Sequence, residues 1–299
     1  MTDIISGLIQ ETISGIALGC IYALIALGFT LIYKATEVVN FSQGEIMMVG
    51  AYIHFFFLNL LISLSGGFNG WIFFLAFIGS VIFAALFGII MDFIINKPLK
   101  GEPVFSIIMA TISLAIILRS LTAILAGPLS IIPISPFGDQ TFFLNGVVIS
   151  ILDISIIFSA IIIISSFYYF FNYTKWGIAM KATSADAEAA QLLGVPVDKV
   201  YRYVWIFASL VGVLSGIMLA PRMALIDTSM SFLGLKAFPA AILGGFGSIK
   251  GAIVGGIILG ISQTIGAQIN PGWQLISGHI AFLIVLAARP RGLFPKIEE

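Results

Sequence analysis

Residues 13–33 read ISGIALGCIYALIALGFTLIY, without an Asp, Glu, Lys or Arg among them. At about 1.5 Å per residue, a helix over this stretch is about 30 Å long, the thickness of the hydrocarbon core of a bilayer. Being apolar on every side, such a helix has no face to offer water and packs among lipid tails or other apolar helices. Working outward, the first apolar segment extends over 8–33, and comparable segments follow at 46–64, 71–95, 104–126, 147–171, 201–220, 249–267 and 273–288. A ninth piece, 232–246, is interrupted by Gly234, Pro239, Gly244 and Gly245 and reads as a half-helix or re-entrant hairpin. The expectation is an all-α, polytopic transmembrane bundle of about eight spans plus this broken segment, forming one transmembrane domain over 1–299.

Composition agrees. Of 299 residues, 60% are hydrophobic and 9% charged, against about 25% charged in soluble domains. Zero formal net charge and the lack of any long charged block argue against a nucleic-acid partner. Cys20 is the one cysteine, so it has no intrachain disulfide partner and reads as a small core hydrophobe. The N-terminus has Asp3 and Glu11 but no Lys or Arg before the first span, unlike the basic start of a cleaved signal peptide, so the first helix is read as retained.

Lys34, Lys97, Lys100, Lys175, Lys181, Lys199 and Arg202 fall in alternate loops, whereas the loops at 65–70 and 127–146 carry no Lys or Arg. Short loops rich in Lys and Arg stay in the cytoplasm. This predicts an external N-terminus and a cytoplasmic 172–200 loop. The basic tail (Arg289, Arg291, Lys296) is then cytoplasmic only if 232–246 crosses or enters deeply.

Glycines recur four apart: Gly15 with Gly19, Gly212 with Gly216, Gly247 with Gly251 and Gly255, and Gly256 with Gly260. Small residues at this spacing let helix backbones approach closely in lipid, and helix packing rather than substrate contact is their expected role.

Two polar interruptions carry more information. The first, residues 34–45, reads KATEVVNFSQGE and places Asn40, Phe41, Ser42, Gln43, Gly44 and Glu45 between two apolar runs. The second, residues 234–251, reads GLKAFPAAILGGFGSIKG and contains Lys236, Phe238, Gly244 and Gly245. Unpaired polar groups at membrane depth cost several kcal/mol, so non-helical backbone survives there only where protein buries it or a wet cavity meets it. Paired interruptions in the two halves of a chain point to a transport pathway; two ordinary surface loops are the alternative.

The 172–200 loop contains its own helix signal. Thr183 or Ser184 is placed to cap the start, Asp186 and Glu188 complement the dipole in the first turn, and Gly194 before Pro196 ends it. Such a helix is either a lever worked by another subunit or a plain connector. Arg119 and Asp153 lie inside spans, where charge is costly and a partner is expected. They are candidates to pair across helices, or Arg119 to snorkel to the interface. His54 and His279 are isolated and read as packed or hydrogen-bonded rather than metal-binding. The sequence has no Gly-x-x-x-x-Gly-Lys-Ser/Thr loop, His-Glu-x-x-His, Gly-x-Ser-x-Gly or Cys-x-x-Cys, so no cofactor is assigned and any ATPase would be another chain.

These residues resemble the permease subunits of branched-chain amino acid ABC importers, the Liv type. Residues 26–33 (ALGFTLIY), 39–45 (VNFSQGE) and 50–52 (GAY) are similar to that family's first signature, usually Asn-Phe-Ala-His-Gly-Glu, with Ser42 and Gln43 in place of Ala and His. Residues 235–252 (LKAFPAAILGGFGSIKGA) resemble the second, and 289–293 (RPRGL) the terminus. The loop helix stands where such permeases carry their coupling helix, with Glu188, Ala189, Ala190 and Gly194 similar to its EAA-type pattern. The resemblance implies alternating access in a bacterial inner membrane. It also implies a second permease subunit, commonly a paralogue, two cytoplasmic ATP-binding subunits and a periplasmic substrate-binding protein. The implied solute is a branched-chain or other small neutral amino acid, with urea or short amides as the alternative in the same superfamily. From another class, an ion-coupled secondary transporter or channel would need a partnered intramembrane carboxylate, for which only Asp153 speaks. An intramembrane enzyme would need a catalytic constellation that the motifs do not supply.

Overall fold

The computed structural model describes residues 2–127, 129–137, 140–144 and 146–294; Lys296 of the basic tail lies outside them. In chain order the helices are α1 Thr2–Thr36, α2 Gln43–Ser65, α3 Gly70–Met91 with a π-helical continuation Asp92–Asn96, and α4 Val104–Ala126. After a hairpin of β1 Thr141–Leu144 and β2 Val147–Ser150 come α5 Ile151–Tyr173, α6 Lys175–Ala185, α7 Ala187–Leu192 and α8 Val197–Met223. A 3₁₀ turn, Thr228–Met230, leads into α9 Ser231–Gly244, then α10 Ile249–Ile269 and α11 Trp273–Ala288.

Seven of these helices are long and apolar enough to cross a membrane: α1 to α5, α8 and α10. The chain is an all-α polytopic membrane bundle. The apolar window of α1 is 94% buried, whereas those of α4 and α5 are 22% buried and expose rows of Ile, Leu and Phe. Large exposed apolar faces on helices of this length are what a hydrocarbon solvent tolerates and water does not. α11, at 16 residues and about 24 Å, and α9, at 14 residues and about 21 Å, fall short of a full crossing.

Three local differences from the sequence reading stand out. The fifth span begins at Ile151, because Val147–Ser150 pairs with Thr141–Leu144 instead of joining the helix; Asn145-Gly146 is the hairpin signal for it. The 232–246 segment is one unbroken helix as far as Gly244, running through Gly234 and Pro239. Its interruption lies at its end, where Gly245 and Gly247 adopt φ of +100° and +84°. Gly247 belongs to this turn and not to a packing ridge, since a Cβ there would meet nothing within 4 Å.

The chain divides into two compact units. The first comprises the described parts of Met1–Thr30, Phe137–Ile163 and Lys236–Glu299. In it α1 and α10 cross where glycine meets glycine: a Cβ on Gly19 would lie 2.7 Å from Ile257 Cα, and one on Gly256 2.5 Å from Ala23 Cα. Gly15 and Gly260 complete this contact, as the four-residue spacing predicts. Cys20 is buried in α1, and the Tyr22 hydroxyl donates to Gln263 Oε1 of α10 at 2.8 Å.

The second unit comprises Leu31–Pro136 and Ile164–Leu235. Here α8 packs on α2 through Gly212 and Gly216, which face Ile46 and the Met47 backbone, and on α3 through Gly88, where a Cβ would come within 2.5 Å of Ile206 Cα. The loops predicted to be cytoplasmic meet at one end. Lys100 Nζ pairs with Asp198 at 2.5 Å, and Arg202 Nε with the buried Asp92 at 3.3 Å. The loops after α4 and α8 are joined by paired backbone hydrogen bonds between Ile131 and Ile226, 2.9 and 2.7 Å long.

Candidate functional site

Three independent registers set the depth of the first polar interruption, all within the second unit. The Phe41 N–H donates to Thr111 Oγ1 at 3.4 Å, Gln43 Nε2 to the Ala208 carbonyl at 3.1 Å, and Arg119 Nη2 to Glu45 Oε1 at 2.5 Å. Thr111 lies about 10 Å and Arg119 about 22 Å along α4, and Ala208 about 16 Å along α8, at 1.5 Å per residue. Residues 41–45 therefore sit beside the middle of two spanning helices, and α2 starts inside the bundle.

The segment turns there because Asn40 Oδ1 accepts from both Ser42 N–H (3.1 Å) and Ser42 Oγ–H (2.6 Å). This local turn closes the chain without an ordinary cap: Ser42 precedes α2, but its hydroxyl is spent on Asn40. Asn40, Ser42, Gln43 and Glu45 are each at most 3% exposed. Gly44 has no side chain for a steric reason: a Cβ would collide with the Ser231 carbonyl, and one on Gly234 would collide with the Gly44 backbone. The first interruption and the start of the second thus meet backbone to backbone.

Glu45 is held by Arg119, whose guanidinium carbon lies 4.3 Å from the centroid of the Phe232 ring in α9. The partner anticipated for the Arg119 charge was Asp153; the ion pair formed is with Glu45, a residue read only as part of the polar segment. Asp153 is buried in the first unit. Several polar atoms in this region have no hydrogen-bond partner among the described residues: Asn40 Nδ2, Gln43 Oε1, Arg119 Nε, Trp205 Nε1 and Ser209 Oγ. Orphaned polar atoms are rare in folded proteins, and each calls for an explanation.

The remaining residues of the second interruption belong to the first unit. Phe238 packs edge-on against Phe29 and Phe246, with centroids 5.3 and 5.5 Å away. Lys236 is half-buried on α9. Gly244 abuts the backbone of Gly251 in α10, and the carbonyls of Leu243 and Gly244 accept the N–H groups of Leu293 and Phe294, at 3.0 and 2.9 Å. Gly245 makes room for that same tail, since a Cβ would fall 2.7 Å from Phe294 O. The RPRGL segment is thereby docked on the end of α9.

In the 172–200 loop, the caps fall later than the sequence suggests. Thr183 and Ser184 lie in the last turns of α6, and Asp186 is the N-cap of α7, accepting from the Ala189 N–H at 2.9 Å. Gly194 ends α7 at φ +85°, with Gly194 N–H to Gln191 O and Val195 N–H to Ala190 O, both 3.0 Å. This paired pattern is a Schellman motif, and it requires a left-handed residue where glycine stands. Ala190 is buried, while Glu188, Ala189, Leu192 and Leu193 are exposed; the two leucines are 89% and 85% exposed. His54 Nδ1 lies 3.2 Å from Ser80 Oγ, and His279 Nδ1 2.8 Å from the Leu275 carbonyl.

A family model described as "Branched-chain amino acid transport system / permease component" matches residues 12–288. The chain belongs to this family. Among relatives of this permease family, the high-affinity branched-chain amino acid transport permease BraD of Pseudomonas aeruginosa is 28% identical over 97% of each chain. LivH of Escherichia coli K12 is 27% identical, again over 97% of both. A probable branched-chain amino acid permease, LivH of Methanocaldococcus jannaschii, is 29% identical over 89% of this chain and 84% of its own. Both polar interruptions and the α6–α7 loop fall inside the span matched to the permease family.

Proposed function

We propose that this chain is the membrane-embedded permease subunit of an ABC-type importer that carries branched-chain or other small neutral amino acids by alternating access. It is a transport subunit and not an enzyme; ATP hydrolysis belongs to separate nucleotide-binding chains. The observation that carries the pathway reading is the mid-depth start of α2, where Asn40 to Glu45 are buried between α4, α8 and the start of α9 with donors and acceptors left open. Asn40, Phe41, Ser42, Gln43, Gly44 and Glu45 line or support the path, with Lys236, Phe238, Gly244 and Gly245 as its second element. The α6–α7 loop is the coupling element, held rigid by the Asp186 cap and the Gly194 turn and offering Glu188, Ala189, Leu192 and Leu193 outward.

Family membership implies the general architecture of an ABC importer complex. In the reading proposed here, two permease chains, commonly paralogues, pair with two cytoplasmic ATPases and a periplasmic binding protein in a bacterial inner membrane. The 1–299 chain acts as one permease domain, with its N-terminus outside and the 172–200 loop in the cytoplasm. Proteoliposomes containing the chain, its partner permease, ATPases and binding protein should take up leucine, isoleucine or valine only with ATP and binding protein present. Uptake of urea or short amides under the same requirements would move the substrate class. ATP-independent flux through this chain alone would replace the importer with a channel or secondary transporter.

A further inference from the structure

The second unit holds a cavity of about 120 Å3 whose lining includes Lys100 and Tyr201, at the end where the basic loops meet, and the buried Asn40, Thr111 and Trp205. One short stretch makes much of its wall: Ile95, Asn96, Leu99, Lys100 and Gly101 all line it. Residues 97–102, which follow the π-helical turn Asp92–Asn96 and lead to α4, belong to no helix. Other walls come from Val38, in the first polar interruption, and from Tyr201 and Trp205 of α8.

This stretch is held firmly at one end and weakly at the other. At its base Asp92, 1% exposed, accepts from Asn96 Nδ2 at 2.7 Å and from Arg202 Nε at 3.3 Å. Separating Arg202 from that carboxylate would strand a buried charge, which keeps the base in place. The turn itself bonds i to i+5, with Lys97 N–H donating to the Asp92 carbonyl at 2.9 Å, a geometry that is rare and concentrates at functional sites. At the tip Lys97, Pro98, Lys100, Gly101 and Glu102 are exposed, and Gly101 turns at φ +86° with nothing within 4 Å of where a Cβ would stand. Among the described residues, the ion pair that joins the tip to α8 is Lys100 Nζ with Asp198 Oδ1 at 2.5 Å, between side chains 50% and 73% exposed. A pair in that much water is weak and is screened by salt.

We propose that residues 97–102 form a lid over this cavity, hinged on the Asp92–Asn96 turn and latched to α8 by Lys100–Asp198, and that the lid gates passage between the cavity and the water at the basic-loop end. The gating step rests on the permease reading above; the hinge and the latch do not.

The test uses the full importer in nanodiscs, where both faces are open to reagent, with Val38→Cys as reporter. Val38 lines the cavity and is 4% exposed, so a water-soluble maleimide reaches it when the lid lifts. The unsubstituted chain, whose Cys20 is buried, gives the background. Raising salt from about 10 mM to about 1 M shortens the screening length from about 30 to about 3 Å and should speed labelling about two- to fivefold. Asp198→Asn should give the fast rate at both salt levels, and Lys100→Asp combined with Asp198→Lys should restore the slow, salt-sensitive one. A rate in Asp198→Asn equal to the parent's, or no restoration in the exchanged pair, would overturn the latch. Gating is read in proteoliposomes with Lys100→Cys combined with Asp198→Cys, bridged by a short bifunctional methanethiosulfonate and followed by intact mass. The bridge should stop ATP-driven uptake and dithiothreitol should restore it, whereas either cysteine alone, modified, should leave uptake intact. Failure of the bridge to form would overturn the latch geometry. A bridged importer that transports like the reduced one would overturn the gate and leave the permease reading standing. Absence of ATP-driven uptake by the unsubstituted importer would remove the permease reading and the gate with it, while the labelling rates still decide the latch.

Discussion

Replacing Arg119 should cost far more than replacing its partner, and the structure gives the size of the difference. The Glu45 side chain is 4% exposed and that of Arg119 33%. Arg119→Gln strands a carboxylate in the bundle. Breaking a buried ion pair in this way costs about 3 kcal/mol or more. Glu45→Gln leaves an Arg119 side chain that is 33% exposed, with its guanidinium against the Phe232 ring. That loss should resemble a half-exposed pair, about 1 kcal/mol. The double variant buries no unpaired charge and should be more stable than Arg119→Gln alone by about 2 kcal/mol, which with the loss of about 1 kcal/mol for Glu45→Gln makes a coupling of about 3 kcal/mol, the upper end for directly contacting residues. Reversible unfolding of the four proteins in mixed micelles measures all three terms. Equal losses for the two single variants, summing in the double, would refute the claim that Glu45 is a desolvated carboxylate held by Arg119.

At the contact between the two interruptions, Gly44→Ala or Gly234→Ala should lower stability by about 1–3 kcal/mol through overpacking against backbone that cannot yield, read as a drop in melting temperature and membrane accumulation. In the α6–α7 loop, Asp186→Ala removes the α7 cap and should cost about 1 kcal/mol locally, visible as faster amide exchange at residues 187–190, whereas Asp186→Asn should be nearly neutral. Gly194→Ala forces a left-handed alanine at a cost of about 1–2 kcal/mol and should uncouple ATP hydrolysis from uptake with insertion intact; unchanged coupling in this variant and in Glu188→Ala would remove the lever role. Gly245→Ala should release the 289–294 tail from α9, increasing protease cleavage there, because its Cβ falls 2.7 Å from the Phe294 carbonyl.

Much of this protein is legible from residue type and spacing alone. Hydrocarbon demands long runs without charge, so the seven long helices follow from composition, and glycines four apart mark the α1–α10 and α2–α8 crossings because only a missing side chain lets two helix backbones touch. The polar stretch at 34–45 and the Gly194 stop are local chemistry and were readable for the same reason. Tertiary structure decided what depends on registers between distant segments. The depth of Asn40 to Glu45 is set by hydrogen bonds to α4 and α8, the Glu45–Arg119 pair by the register of α2 against α4, and the meeting of Gly44 with Gly234 by a contact between residues far apart in the chain. Trp205 and Thr111 could not have been singled out from sequence, since a Trp or Thr within an apolar run becomes a cavity wall only when other helices bring a second wall against it. Even the caps of α7 shifted, from Ser184 to Asp186, because the preceding residues found a better use in completing α6. Chain-local energetics wrote the list of helices and breaks, and packing between non-adjacent elements decided which break lies at the middle of the spans.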